Sequence, residues 1–203
     1  MDGSRLSRAA EPGYTVTMAI LKIARMGHPV LIRRANAIED PTAERVRRLI
    51  GHMTETMFDA EGIGLAAPQV HRSLRLILFL DAADRAEAQG RRPRALINPE
   101  IEPLDATLVA DWEGCLSIPG LRGVVPRPAR IGYRGLTLDG HAIEREAEGL
   151  HARVVQHEVD HLDGILYPIR MPDLRQLTFE TELKYFVSQS DGEEEAHESA
   201  DQP

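Results

Sequence analysis

The stretch QHEVDHLDG, residues 156–164, contains two histidines four positions apart, with a glutamate directly after the first. Residues four apart in a helix lie about 5–6 Å from each other between Cβ atoms, so His157 and His161 can both reach one divalent ion. Glu158 lies about 100° further around the helix, where its carboxylate can reach a water beside the ion without becoming a ligand. In this HExxH arrangement the ion lowers the pKa of the water and polarises a carbonyl, while the glutamate transfers the proton. The motif therefore predicts metal-dependent hydrolysis.

A helix over about residues 147–162 is predicted to carry this motif. Leu150, Val154, His157 and His161 recur at steps of four, three and four, which places them on one inward stripe. Imidazoles on an apolar stripe need a ligand or other buried partners. Two histidines on a helix are also often ordinary polar positions, so the isolated motif leaves a structural role open.

The third ligand distinguishes the classes of HExxH protein. In metzincin proteases the motif continues as HExxHxxGxxH; Gly164 fits this pattern, but Tyr167 stands where the third histidine belongs, which excludes that family. Thermolysin-like endopeptidases supply a glutamate about twenty residues downstream. Glu180 and Glu182 lie close to that distance, so spacing alone leaves this alternative open.

Cys115, the only cysteine, lies in EGCLSIPG between Gly114 and Gly120. A lone cysteine is more often a small buried hydrophobe than a ligand. A thiolate with two neutral imidazoles, however, forms a Cys-His-His set with a fourth position open for water, and a neighbouring glycine permits close backbone approach. We therefore predict Cys115, His157 and His161 as metal ligands. Besides the thermolysin-like endopeptidase, a noncatalytic ion that only stabilises the fold is a second alternative.

Three motifs together resemble the peptide deformylase family. GIGLAAPQ at 62–69, EGCLS at 113–117 and QHEVDH at 156–161 occur in the family's order, and the resemblance extends over about residues 18–170. It implies removal of the formyl group from the N-terminal formyl-methionine of newly made polypeptides, with release of formate. It also implies Fe²⁺ as the native metal, with Zn²⁺, Ni²⁺ or Co²⁺ as other occupants, and Glu158 as the group that transfers the proton.

The same resemblance assigns roles to residues outside the metal set. It implies that the Gln69 side-chain amide and the Leu116 backbone N–H stabilise a tetrahedral oxyanion. Ile63 and Gly64 are expected to pair with the main chain of the substrate, and Arg122 to contact the peptide.

Further expectations concern selectivity for the formyl group and the residues that orient the metal ligands. A narrow site beside the metal admits formyl, the smallest acyl group, and excludes larger ones. Leu150, Val154 and Ile63 are expected walls of an apolar pocket for the methionine side chain, although they equally fit ordinary core positions. Glu113 and Asp160 are candidates to orient a ligand from behind.

The pattern of elements predicts an α+β domain in which short, mostly antiparallel strands pack around the central helix that carries HExxH. Residues 40–58 predict an earlier helix, with Asp40 as its N-terminal cap. Residues 130–139 predict the first strand of a hairpin that returns through the following segment. A final amphipathic segment is expected over residues 173–187.

Charge is unevenly distributed along the chain. Residues 188–203 contain six of the 32 acidic residues and no Lys or Arg, so the remainder carries 26 acidic against 24 basic residues. We predict a flexible leader over residues 1–17, one catalytic domain over 18–187 and a disordered acidic tail over 188–203. The nearly neutral body argues against a direct nucleic-acid ligand.

The expected partners are N-formyl-methionyl peptides, with a transient encounter with the ribosome. The basic C-terminal helix that some bacterial family members carry is replaced here by the acidic tail. The longest strongly apolar run, residues 76–80, is too short to span a membrane. A cytoplasmic bacterial protein is therefore expected, in preference to an organellar one.

Overall fold

The computed structural model describes residues 19–80 and 93–186. The predicted leader, residues 1–17, and the predicted acidic tail, residues 188–203, lie outside the described residues. Within the described ranges, no helix is both long and apolar enough to cross a membrane.

The strands of the described chain form two antiparallel sheets, one with the order β1-β2-β3-β6-β7 and a smaller one with the order β4-β5-β8. Their bounds are β1 Gly64–Ala66, β2 Leu76–Phe79, β3 Arg94–Pro103, β4 Leu108–Cys115, β5 Ile118–Pro128, β6 Arg130–Leu136, β7 Ala142–Glu148 and β8 Leu177–Phe179. The α-helices are α1 Glu44–Asp59, α2 Gly149–Leu162 and the short α3 Tyr167–Arg170.

Strand β2 shows how the larger sheet is buried on both faces. Successive side chains of a strand point to opposite faces. Leu76 and Leu78 pack into the cluster that contains Met53 of α1, whereas Ile77 and Phe79 pack into the cluster formed with α2. The sheet therefore lies between the two long helices.

Helix α2 is the predicted central helix, and it begins at Gly149. It contacts strands of both sheets, and every residue from Ala152 to Leu162 is buried. The expected single inward stripe is thus too narrow a description, because the helix is enclosed on all sides over its C-terminal three turns. Polar side chains on this stretch must find partners inside the protein.

The predicted hairpin is present. Strands β6 and β7 pair antiparallel from Arg130↔Glu148 to Leu136↔Ala142. Gly140 in the connecting turn has φ +78°, a conformation that glycine adopts at low cost. The α+β architecture of mostly antiparallel strands around α2 is the predicted one.

Two local predictions differ from the structure. Asp40 is not the cap of α1, which begins at Glu44 after Ala43; Asp40 instead accepts hydrogen bonds from the backbone and hydroxyl of Thr42 in a turn of its own. The expected amphipathic segment from residue 173 is divided, because residues 177–179 leave it to pair as β8 with β5.

Candidate active site

Cys115, His157 and His161 lie together, with one possible ligand atom from each within 4.8 Å of the others. The Cys115 Sγ is 3.3 Å from Nε2 of His161, and the two imidazole rings are 5.0 Å apart between centroids. The histidines come from successive turns of α2, and Cys115 ends β4 at a register shift after Gly114. The structure thus brings the three predicted ligands to one point.

The thiol of Cys115 is in a polar setting. The Gln69 amide donates to Sγ at 3.5 Å, and the Ser117 backbone N–H donates to it at 3.4 Å. Burial alone would raise the pKa of Cys115, but the charges and hydrogen bonds of His161 and His157 hold it well below its ordinary value. The site therefore favours a thiolate, the form of cysteine that binds metals.

Glu158 is buried beside this group. Its Oε2 has no hydrogen-bond partner among the described residues. A Cβ on Gly64 would overlap Oε1 of the same carboxylate, so glycine is needed there for Glu158 to keep its position. Burial is the main cause that raises the pKa of Glu158 to about 7. A carboxylate therefore lies beside the three grouped atoms, and one of its oxygens accepts no hydrogen bond from the described residues.

The Gln69 side chain is fixed by its own contacts. Its Oε1 accepts from the Ala66 N–H at 2.8 Å, while Nε2 donates to the Cys115 thiol and to the Ser117 hydroxyl. Gln69 is buried within a short 3₁₀ turn, Ala67–Val70. Its donor group therefore lies at the thiol. Leu116 follows Cys115 directly, and its carbonyl accepts from Arg25.

A cleft of about 640 Å³ opens onto the group. All of the residues that were predicted to be catalytic or to contact substrate line it: Ile63, Gly64, Gln69, Leu116, Arg122, Leu150, Val154 and Glu158. Leu150 is 50% exposed and is therefore not a core residue, whereas Val154 is buried in the core around α2. The predicted pocket residues thus border one continuous space.

Comparison with known proteins decides the family. The family described as polypeptide deformylase matches residues 20–177, which is most of the chain. The chain belongs to the polypeptide deformylase family. Peptide deformylase 2 of Bordetella bronchiseptica is 50% identical over 159 residues, which cover 77% of this chain and 90% of that protein.

Solved deformylase structures share the fold. The peptide deformylase of Thermotoga maritima has a TM-score of 0.69 at 38% identity, covering 76% of this chain and 99% of that one. The Met-Ala-Ser-bound class I type b peptide deformylase of Acinetobacter baumannii has a TM-score of 0.68 at 34% identity, covering 75% of this chain and 99% of that one. The predicted family, fold class and enzyme are confirmed: the chain is a peptide deformylase, a hydrolase of N-formyl groups.

Behind the group of Cys115, His157 and His161, Glu113 connects to His157. The Glu113 Oε2 lies 2.8 Å from Nδ1 of His157, which donates to it and leaves Nε2 free. Burial alone would raise the pKa of Glu113, but hydrogen bonds from Arg127 and His157 lower it to about 2. Glu113 was a sequence candidate for orienting a ligand, and its position fits that role.

Three arginines that sequence reasoning missed complete the buried network. Arg127 binds Glu113 with two hydrogen bonds, at 2.6 and 2.9 Å, and Asp160 with a third at 2.7 Å. Arg170 donates to Asp160 at 2.6 Å. Asp160, the other candidate from the sequence, thus binds arginines, and it is through Arg127 that it reaches Glu113.

Arg153 of α2 ties the helix to the hairpin of β4 and β5. It donates to the Glu113 carboxylate at 2.8 Å and to the carbonyls of Val109 and Val125, both at 2.7 Å. A signal for it was present, since an arginine in a helix buried on all sides needs acceptors. Arg127 offered a second signal, because it follows Gly123 and Val125 on the inward face of β5.

The residues that the two endopeptidase alternatives require as a third ligand lie outside the group formed by Cys115, His157 and His161. Glu180 accepts two hydrogen bonds from Arg122, and Glu182 accepts one from Thr181. Neither belongs to the group of ligand atoms that Cys115 completes. Tyr167 stacks near His157, with ring centroids 6.2 Å apart, as part of the wall behind the site.

Proposed function

We propose that this deformylase holds one divalent ion with Cys115, His157 and His161 and uses Glu158 to transfer the proton when formyl-methionine is hydrolysed. The observation that carries the proposal is the buried Glu158 carboxylate, which has an oxygen without a partner among the described residues, beside three grouped possible ligand atoms. A buried polar oxygen without a partner is costly, so its persistence favours a function that occupies it.

The residues present fit a metal ion. A thiolate and two imidazoles are a common ligand set for a catalytic ion with one open position. The hydrogen bond from His157 to Glu113 fixes the tautomer that leaves Nε2 free. When bound, the ion would polarise the formyl carbonyl and lower the pKa of a water. We propose Fe²⁺ as the native occupant, with Zn²⁺, Ni²⁺ or Co²⁺ able to replace it.

Glu158 would transfer the proton in both steps of the reaction. It accepts a proton from water as the water oxygen bonds to the formyl carbon. It then delivers that proton to the leaving nitrogen as the carbon–nitrogen bond breaks, which yields formate and a free amino terminus. The Gln69 amide and the Leu116 backbone N–H are proposed to donate to the oxyanion that forms between these steps.

The substrate main chain is proposed to pair with β1. This strand stands at the edge of the larger sheet, with β2 as its neighbour on the other side. An edge strand offers unpaired backbone groups to an extended peptide, and Ile63 and Gly64 lie beside Glu158 at that edge. The Met-Ala-Ser complex of the relative from Acinetobacter baumannii supports binding of such a peptide here.

The methionine side chain is proposed to enter the part of the cleft bordered by Ile63, Leu150 and Val154, with Arg122 contacting the following peptide. The confined space at the ligand atoms would exclude acyl groups larger than formyl. Substrates of this kind arise on ribosomes, so we place the protein in the bacterial cytoplasm, in transient contact with the ribosome.

Formate release tests the proposal. Protein purified without oxygen is analysed for metal and assayed with formyl-Met-Ala-Ser. We expect about one ion per chain and rapid formate release. Glu158→Ala should keep the ion and lose turnover, whereas the matched change of an exposed helix residue, Glu55→Ala, should alter neither.

Two results would contradict the proposal. Near-normal deformylation by Glu158→Ala would exclude Glu158 as the proton carrier. Full metal content and activity in Cys115→Ala would exclude the thiol as a ligand, and cleavage of unformylated peptides by that variant would favour the thermolysin-like alternative.

A further inference from the structure

An ion pair stands at the mouth of the cleft. Arg122 donates to Oε1 of Glu180 through Nε at 3.1 Å and through Nη2 at 2.6 Å. Both residues line the cleft that reaches Cys115 and His157. Their side chains are 39% and 52% exposed, so an entering peptide meets both charges while solvent still reaches them.

Glu180 is held in place by its neighbours in the chain. It follows β8, which pairs with β5 through Leu121↔Phe179 and Arg122↔Thr178. Six residues after Glu180, the ring of Phe186 contacts Trp112, with centroids 5.5 Å apart. Contacts on both sides of Glu180 therefore fix this segment against the hairpin that carries Cys115.

The ion pair with Glu180 also fixes the position of the Arg122 guanidinium. A Cβ on Gly114 would overlap the Arg122 guanidinium, which therefore rests across the backbone next to Cys115. The two bonds from Arg122 both end on Oε1 of Glu180, and no donor among the described residues reaches Oε2. One carboxylate oxygen of this cleft-lining side chain thus offsets the arginine, and the other accepts no hydrogen bond from the described residues.

We propose that Glu180 sets the charge preference of the cleft for the second and third residues of the formylated peptide. It weakens the attraction of Arg122 for acidic side chains, and its Oε2 accepts from lysine or arginine side chains of the substrate. This inference rests on the proposed function, which places formyl-methionine at the inner end of the cleft and the following residues at its mouth. Glu180 lies beyond residues 20–177, the range that the family model matches.

The test compares peptides that differ only in one side-chain charge. At the second position, formyl-Met-Lys-Ser-amide is compared with formyl-Met-Glu-Ser-amide. At the third position, formyl-Met-Ala-Lys-amide is compared with formyl-Met-Ala-Glu-amide. The wild-type kcat/KM should be higher for lysine than for glutamate at one position or both. Glu180→Gln keeps an acceptor for Arg122 but removes the charge, and should lower this lysine-to-glutamate ratio by about two- to fivefold. Added salt at about 0.5 M should reduce the difference between wild type and variant.

Glu182→Gln is the matched control, since it removes the same charge from an exposed residue that does not line the cleft. It should keep the wild-type ratio. The proposal is overturned if Glu180→Gln keeps the wild-type ratio at both positions, if it slows all peptides equally, or if Glu182→Gln shifts the ratio as much. Failure of the proposed function is a separate result, because wild-type protein would then release no formate from formyl-Met-Ala-Ser-amide at all.

Discussion

Two arginine–carboxylate pairs border the candidate site and differ in burial. The side chains of Arg127 and Glu113, behind His157, are 5% and 4% exposed, whereas those of Arg122 and Glu180, at the mouth, are 39% and 52% exposed. A buried charge that loses its partner cannot turn to water, but an exposed one can. The buried pair of Arg127 and Glu113 therefore suits rigid support of His157. The exposed pair of Arg122 and Glu180 suits adjustable contact with substrate.

The largest difference between the two pairs is expected in their contribution to the free energy of unfolding. Arg127→Leu would leave the carboxylates of Glu113 and Asp160 buried with fewer cationic partners, and should lower the free energy of unfolding by about 3–5 kcal/mol. The melting temperature, measured by calorimetry, should fall by roughly 10 °C. The counterpart at the mouth, Arg122→Leu, should change the free energy of unfolding by less than about 1 kcal/mol. Equal losses for the two variants would refute the distinction.

The two glycines beside these regions provide a second comparison. A Cβ on Gly64 would overlap the buried Glu158 carboxylate, while one on Gly114 would meet the flexible end of Arg122. Gly64→Ala should therefore lower kcat/KM about 100-fold with the metal retained, because the displaced carboxylate no longer reaches the water. Gly114→Ala should lower it far less, since the Arg122 guanidinium can shift toward solvent. Steady-state formate release with metal analysis of both proteins would check this, and a larger loss in Gly114→Ala would contradict it.

Metal retention should also separate the two regions. Glu113→Gln removes the charged acceptor of the His157 Nδ1–H, and should weaken metal affinity about 10- to 100-fold. Glu180→Gln should leave the affinity unchanged. Competition with a chelator, read by metal content rather than by activity, measures both. Unchanged affinity in Glu113→Gln would mean that His157 does not need this acceptor.

The sequence was informative where a single element contains the pattern. His157, Glu158 and His161 share one helix, so the helical period was enough to predict their mutual placement. The hairpin of β6 and β7 was predictable for the same reason, since turn and strands are adjacent in the chain. Cys115 lies on a different element, and it was predicted from ligand chemistry together with its glycine-flanked EGCLS motif and not from helical periodicity.

Contacts between distant segments could not be predicted in this way. Arg127 and Arg170 are 43 positions apart and meet on Asp160. The alternation along β5 places Arg127 on the inward face, but nothing near either arginine identifies Asp160 as the shared partner. Strand β8 was missed because its hydrogen-bonding partner, β5, lies more than fifty positions earlier. The pair of Arg122 and Glu180 depends on that same pairing, and so it became visible only in the structure.

The smallest effect is expected for the coupling between Arg122 and Glu180 themselves. A double-mutant cycle of Arg122→Leu and Glu180→Gln, measured by denaturant unfolding, should give a coupling energy of about 0.2–1 kcal/mol that shrinks as salt is added. Side-chain exposure weakens the attraction, and fixing two long side chains costs entropy. A coupling energy several times larger and insensitive to salt would mean that the pair at the mouth is as rigid as the buried network. The inference that this exposed pair makes an adjustable contact with substrate would then be wrong.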